Sequence, residues 1–185
     1  EKYLAADRDL LEKAGSQIYQ RQVRYANGEV RDVMFHKATF SQPDGTVGGL
    51  VGVMLDITER KRMEDHLRQA ATVFESAAEG VIITRPDGSI IAVNRAFSEI
   101  TGYDESEVLG RNPRMLQSGH QDARFYRAMW DSIVRTGRWQ GELWNRRKNG
   151  ELFPEWISIA AVKDAQGRLS NYVAIFSDLT LPKQS

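Results

Sequence analysis

The sequence contains no cysteine among its 185 residues. This absence excludes disulfide bonds, thiolate metal sites, iron–sulfur clusters and any reactive thiol in the chain. The chain also lacks an excess of charge, since 25 basic and 25 acidic residues cancel. A neutral chain creates no overall field that would attract nucleic acid or anionic lipid, so we expect neither as a partner.

Long apolar runs are absent as well. No stretch approaches the roughly 20 residues that span a bilayer, and the N-terminus carries no signal-peptide pattern. We therefore expect no membrane contact and a cytoplasmic location. Phosphate-binding loops and nucleophile motifs are missing, and His36 and His66 fall on different predicted elements. We predict neither a catalytic site nor a metal site in this chain.

An internal repeat with a constant offset of 122 residues organises the chain. The matching positions, in order, are Gly15 and Gly137, Asn27-Gly28-Glu29 and Asn149-Gly150-Glu151, Asp56 and Asp178, and Thr58 and Thr180. Each copy is predicted to form a helix followed by three antiparallel strands. The Asn-Gly pair between the first two strands predicts a two-residue hairpin turn, in which both central residues have positive φ.

The second copy is preceded by further elements that the first copy lacks. Strands are predicted over 81–84 and 90–93, whereas the helix predicted over 121–136 belongs to the repeat and has its counterpart at 3–14 in the first copy. Asn94 and Asp104 are the expected N-caps of two short helices. The complete unit is therefore predicted to be an α+β fold, with five antiparallel strands and helices on one face of the sheet. The first copy would lack two strands and leave an unpaired sheet edge.

A charged helical segment joins the two copies. Its apolar residues recur at spacings of four, three and four, and are Met63, Leu67, Ala70 and Phe74. Such a seam is typical of a helix that packs against another helix, and we expect it to join two subunits in a homodimer; a solvated spacer helix is the alternative. The predicted domains are a partial unit at 1–58, the linker helix at 59–76, a complete unit at 77–180, and the start of an onward linker at 181–185.

Several motifs resemble those of the PAS domain family. The segments EGVII (79–83), VNRAF (93–97), ITGY (100–103) and VLGRN (108–112) resemble its N-terminal half, and RRKNGE (146–151) through DLT (178–180) resemble its C-terminal half. The resemblance implies a non-catalytic sensory module of bacterial signalling proteins, such as two-component histidine kinases and cyclic-di-GMP enzymes. It also implies an output domain elsewhere in the same chain.

The Asp-x-Thr pairs of the two copies lie where the last strand ends, and the resemblance implies a role in signal relay for Asp56, Thr58, Asp178 and Thr180. A short carboxylate and a hydroxyl can cap exposed N–H groups there and fix the direction of the following helix. Glu107 and Lys148 are similar to an ion pair of several PAS domains. A ligand-free dimerisation and spacing module is the alternative function, its pocket filled by Trp144, Phe153, Trp156 and Phe176.

Within the family, the second copy resembles the FAD-binding PAS domains of redox sensors. The resemblance implies that Trp130 packs on the flavin and that Asn145 hydrogen-bonds the edge of its ring. On an alternating strand, Gly141 and Leu143 share the face of Asn145, and Gly141 would leave room for the ring. Phe153 and Phe176 complete the predicted cofactor-binding residues. The alternatives are that Trp130 belongs to the core and Asn145 bonds a backbone group or water, or that another small ligand fills the pocket.

This sequence departs from those redox sensors at two positions. Pro113 stands where they have a glutamate, and Phe176 where they have a histidine. Pro113 also stands where the blue-light (LOV) photoreceptors of the family have their reactive cysteine, so their thiol–flavin photocycle is excluded. Haem would need an axial ligand on the helix facing the sheet, and His120 precedes that helix in a loop. Val23 occupies the position of Asn145 in the first copy, which shows no flavin signature.

Overall fold

The computed structural model describes residues 2–180. The chain divides into two compact units, Glu1–Gln69 and Ala70–Ser185. The predicted start of an onward linker, 181–185, lies outside the described residues. No helix within the described part combines the length and the apolarity that crossing a bilayer requires.

The first unit consists of a helix and a three-stranded antiparallel sheet. Helix α1 (Lys2–Lys13) precedes β1 (Ser16–Arg24), β2 (Val30–Ser41) and β3 (Val47–Asp56), and the sheet order is β1-β2-β3. Helix α1 contacts β2 and β3, and Asp7 on α1 forms an ion pair with Lys37 on β2. Among the described residues β3 is an edge strand, as the repeat predicted.

The second unit contains a five-stranded antiparallel sheet. Its elements follow helix α2 (Thr58–Ser76) and are β4 (Gly80–Thr84), β5 (Ile90–Val93), α3 (Arg95–Thr101), α4 (Glu105–Val108), a 3₁₀ helix (Pro113–Leu116), α5 (Ala123–Thr136), β6 (Arg138–Arg146), β7 (Leu152–Lys163) and β8 (Leu169–Asp178). The sheet order is β5-β4-β8-β7-β6. Helix α3 contacts β4, and α5 contacts β6 and β7. The predicted α+β fold is confirmed.

The repeat extends to the register of the strands. Val33 on β2 lies opposite Asp56 on β3, and 122 residues later Glu155 on β7 lies opposite Asp178 on β8. The pairing of β1 with β2 likewise reproduces that of β6 with β7. Positions that are 122 residues apart can therefore be compared side chain by side chain.

The hairpin between β6 and β7 is present, but the predicted two-residue turn is wrong. Arg147 N donates to Glu151 O at 2.8 Å, and Gly150 N donates to Arg147 O at 2.9 Å. Only Gly150 has a positive φ, of 90°, whereas Asn149 does not. The loop is thus a turn closed by one left-handed glycine, which spares asparagine a strained backbone. In the first copy Tyr25 N likewise donates to Glu29 O, and Gly28 N donates to Tyr25 O.

Asn94 is the predicted N-cap of α3 and also binds the segment that leads into the unit. Its Oδ1 accepts from Phe97 N at 3.1 Å and from Val81 N at 2.9 Å. Its Nδ2 donates to Phe74 O at 3.0 Å and to Glu79 O at 2.9 Å. This buried amide therefore uses four hydrogen bonds to hold the last turn of α2, the start of β4 and the start of α3 together.

Candidate functional site

A cavity of about 440 Å³ lies between the sheet of the second unit and the segments that cover it. Its volume is within the range of small-molecule sites. Apolar side chains form most of the wall, including Ile82, Leu116, Met129, Leu143, Ile157 and Ala174. Polar groups are fewer, and include Thr84, Asn112, Arg114, Asn145 and Glu155. An apolar cavity with a few polar groups is typical of a ligand site.

Three of the predicted cofactor-binding residues line this cavity: Trp130, Leu143 and Asn145. Leu143 and Asn145 are buried on the inward face of β6, as the strand alternation predicted. Trp130 on α5 is 42% exposed, so it forms part of the rim rather than of the core. Its ring meets Tyr172 of β8 edge to face, with centroids 5.3 Å apart.

The other three predicted residues are placed elsewhere. A Cβ atom on Gly141 would lie 2.8 Å from Trp139 Cζ2, so the ring of Trp139 occupies the space that Gly141 leaves, which we had expected to admit a cofactor. Phe153 and Phe176 are fully buried in the hydrophobic core. Phe176 lies over Gly80, where a Cβ atom would be 2.3 Å from the ring.

The aromatic residues that could have filled the pocket do not line it. Phe153 and Phe176 belong to the core. Trp156 is 46% exposed on the opposite face of β7 from the inward-facing Glu155. The ring of Trp144 lies 5.4 Å from that of the exposed His120. No cluster of acidic or histidine side chains in the described residues could hold a metal ion.

Glu155 is a cavity residue that the sequence interpretation missed. It is 1% exposed, and its Oε1 accepts from Asn145 Nδ2 at 2.8 Å. Its Oε2 has no hydrogen-bond partner among the described residues. Burial raises the pKa of Glu155 to about 8. The charge of Asp178 also raises this pKa, whereas the hydrogen bond from Asn145 and the charge of Arg147 lower it. Strand alternation could have identified it, because Glu155 shares one face of β7 with the apolar Phe153 and Ile157.

The first copy shows that the fold does not require this polar pair. Val23 and Val33 stand 122 residues before Asn145 and Glu155, in the same strand register. Val33 is 1% exposed, as Glu155 is. Apolar side chains therefore satisfy these two positions in one copy, and the amide–carboxyl pair is specific to the unit that contains the cavity.

Other polar groups of the cavity are fixed or left without a partner. Thr84 Oγ1 is buried and unpaired among the described residues. The hydroxyl of Tyr126 accepts from Gln121 Nε2 at 3.2 Å, and burial raises the pKa of Tyr126. Gln121 also bonds both backbone groups of Trp144, which fastens the preceding loop to the edge of β6. Unpaired buried polar atoms are costly, so Thr84 and Glu155 indicate where a bound molecule would contribute hydrogen bonds.

The predicted relay residues form the same bonds in both copies. Asp178 Oδ1 accepts from Thr180 N at 2.8 Å and from Thr180 Oγ1 at 2.6 Å. Asp56 Oδ1 accepts from Thr58 N at 3.0 Å and from Thr58 Oγ1 at 2.6 Å. In the first copy this bond engages the first residue of α2. A strand end is thus joined to the segment that follows it by one carboxylate.

Arg147 connects the end of β8 to the core. Its Nη2 lies 2.6 Å from Asp178 Oδ2 and donates to Thr180 Oγ1 at 3.2 Å, while its Nη1 donates to Ile100 O at 2.7 Å. The guanidinium carbon lies 4.2 Å from the ring centroid of Phe153. The predicted pair between Glu107 and Lys148 is also present, at 2.5 Å.

The predicted dimer seam lies on an open face of α2. Met63, Leu67 and Ala70 are exposed, and Phe74 is half-buried. Leu67 is 67% exposed, so the seam presents apolar surface at the spacing by which one helix packs against another.

The chain resembles proteins of known family. A model described as the PAS domain matches residues 78–181. The nitrogen fixation regulatory protein of Klebsiella oxytoca is 34% identical over 110 residues, 60% of this chain and 22% of that protein. A blue-light-activated histidine kinase of Brucella abortus (strain 2308) is 36% identical over 122 residues, 62% of this chain and 25% of that protein. The matches thus span about a quarter of these relatives.

A solved structure shows the same fold. The PAS domain of a protein from Colwellia psychrerythraea superposes with a TM-score of 0.59 at 21% sequence identity. The superposition covers 63% of this chain and 98% of that one.

Proposed function

Because the chain belongs to the PAS domain family, we propose that its complete unit senses redox state through FAD bound in the cavity. The observation that carries this proposal is the buried pair of Asn145 and Glu155 in a wall that is otherwise mostly apolar. The fold itself does not require this pair, because the first copy has valine at both positions. The pair is therefore explained by a polar ligand in the cavity.

The residues present fit a flavin. Its flat ring has apolar faces, which the apolar walls and Trp130 would cover, and an edge of N–H and C=O groups, which Asn145, Glu155 and Thr84 would meet. Arg114 lines the cavity and is exposed, so its charge is available to the phosphates of FAD. When bound, flavin supplies reversible electron uptake.

A light response through a cysteine adduct is not part of the proposal. Pro113 lines the cavity, and the sequence contains no cysteine. The similarity to a blue-light-activated histidine kinase therefore supports a shared pocket rather than a shared photochemistry. We assign this segment binding and relay, and no catalytic step.

We further propose that the signal leaves through the end of β8. The cavity and the relay are linked by one strand pair, because the cavity residue Glu155 on β7 lies opposite the relay residue Asp178 on β8. Asp178 in turn holds Thr180 and Arg147. A change at the ring edge would alter these bonds and with them the direction of the chain toward an output domain.

Purification of the protein tests the flavin proposal. We expect a yellow preparation with a flavin spectrum that releases FAD on heating, or a colourless one that binds added FAD. The double variant Asn145→Val and Glu155→Val, which installs the residues of the first copy, should fold and lose FAD. The variant Trp156→Phe, on the opposite face of β7, serves as the matched control and should bind normally. A colourless protein that takes up no FAD by native mass spectrometry contradicts the proposal.

A ligand-free dimerisation module is the second candidate function. The exposed seam at Met63, Leu67 and Ala70 favours it. A protein that is colourless, binds no FAD and is dimeric through this seam would support this candidate instead.

A further inference from the structure

The surroundings of Glu155 favour its neutral form. Asp178 faces it directly from β8, Asn145 from β6 and Tyr126 from α5. In the described residues the cation that acts on it is Arg147 in the hairpin, while Arg114 lines the same cavity but is exposed. A second negative charge beside Asp178, with one hydrogen bond and 1% exposure, would be poorly stabilised.

Arg147 is already engaged by other acceptors. Its guanidinium binds Asp178 at 2.6 Å and the carbonyl of Ile100 at 2.7 Å, and its Nε lies 3.5 Å from Glu151. No hydrogen bond joins Arg147 to Glu155 in the described residues. The cation thus holds Asp178 ionised and leaves Glu155 to its apolar surroundings.

The position of the proton on Glu155 follows from its hydrogen bonds. Oε1 accepts from Asn145 Nδ2, so Oε1 is the carbonyl oxygen of the neutral acid. The hydroxyl is then Oε2, the atom that lacks a partner. A buried hydroxyl without an acceptor costs free energy, and a ligand that offers one would remove this cost.

We propose that Glu155 serves the flavin site as a neutral carboxylic acid, whose Oε2–H donates to a carbonyl oxygen or an unprotonated nitrogen on the edge of the ring. Flavin then binds only the form of the protein in which Glu155 carries its proton. This inference rests on the proposed function and adds to it a proton dependence of cofactor retention. No group in the first copy could do the same, since Val33 stands at this position.

The affinity for flavin should therefore depend on pH in one direction. Below the pKa of Glu155, which is about 8, the dissociation constant should be constant because the acid is already protonated. Above it, the dissociation constant should rise about tenfold per pH unit, because each unit reduces the protonated fraction tenfold.

The test is a titration of flavin-free protein with FAD, followed by fluorescence, from about pH 6 to about pH 9 around the expected transition. The variant Glu155→Gln keeps a donor and cannot titrate, so it should bind at low pH and show no pH dependence. Glu151→Gln removes an exposed carboxylate beside the same Arg147 and should retain the dependence of the wild type. Infrared spectroscopy should also show a protonated carboxyl band at neutral pH that Glu155→Gln lacks.

The outcomes separate this inference from the proposed function. Wild-type binding that is independent of pH, or that tightens as pH rises, overturns the inference while FAD binding stands. A slope that persists in Glu155→Gln also overturns it, because another group would then titrate. Absence of FAD binding at every pH overturns the proposed function and this inference together.

Discussion

Glu155 and Asp178 lie directly opposite each other on β7 and β8, yet their pKa values move in opposite directions. Burial opposes ionisation of both, but at Asp178 the bonds from Thr180 and Arg147 outweigh burial and lower the pKa. At Glu155 burial prevails and raises it. One strand pair thereby holds an ionised relay carboxylate and a neutral cavity carboxyl.

Stability should decrease with rising pH because of Glu155. Its pKa is about 8 in the folded protein against an ordinary value of 4.5, so between these limits only the folded state holds the proton. The free energy of unfolding should then fall by about 1.4 kcal/mol per pH unit across this window. Urea unfolding of wild type and Glu155→Gln at several pH values measures the difference. Equal slopes in the two proteins would assign the dependence to other groups.

Arg147→Ala should be strongly destabilising. The substitution leaves Asp178, whose side chain is 3% exposed, without its cation, and removes the stack on Phe153. We expect a loss of about 3 kcal/mol in denaturant unfolding, typical of breaking a buried pair. Arg168→Ala, which breaks the exposed pair with Asp164, is the control and should cost less than about 1 kcal/mol. Similar losses in both variants would show that burial of the Arg147 pair contributes little.

Asn94→Ala should loosen the contact that joins the last turn of α2 to the starts of β4 and α3. Four hydrogen bonds disappear, and buried backbone groups lose their partners, at a cost of about 3 kcal/mol. Amide exchange should accelerate at Val81 and Phe97, because their N–H groups donate hydrogen bonds to Asn94 Oδ1. Asn149→Ala removes one exposed bond to Glu151 N and should leave this exchange unchanged. Unaltered protection in Asn94→Ala would mean that water replaces the amide without cost.

Leu67→Glu should convert a dimer into a monomer. We expect the exposed seam of α2 to be covered by a second copy, and a charge in its middle would oppose that contact. Light scattering gives the mass directly. Val134→Glu places the same charge on α5 at a residue that is 81% exposed and should not alter the mass. A Leu67→Glu variant with wild-type mass would reject the seam as the dimer contact.

Much of the fold could be predicted from the sequence, because turns, caps and strand alternation are local. The 122-residue repeat predicted the strand order within each copy, and Asn94 was recognised as a cap from its position before an apolar helix. The hairpin turn was mistaken, since Asn-Gly is compatible with more than one loop length. That choice depends on where strand pairing stops, between Arg146 and Leu152.

The site was predictable only in part. Strand alternation placed Leu143 and Asn145 on the inward face, where the structure has them. It could not show that Trp139 folds over Gly141, because that contact depends on a rotamer. Alternation along β7 predicts that Glu155 faces inward. Its role in the cavity depends on the residues around it, which the sequence alone does not identify.

Among the described residues the outer edge of β3 pairs with no strand, and this open edge has a consequence for handling the 185-residue chain. Its backbone groups offer a template to any extended chain, and Val51, Val53 and Leu55 expose apolar surface along the same strand. Edges of this kind promote aggregation unless something covers them. Loss of protein on concentration, or a slow rise in turbidity, should therefore originate in the first unit. We expect Val53→Lys to improve solubility, because a charge on an edge strand opposes pairing with another chain.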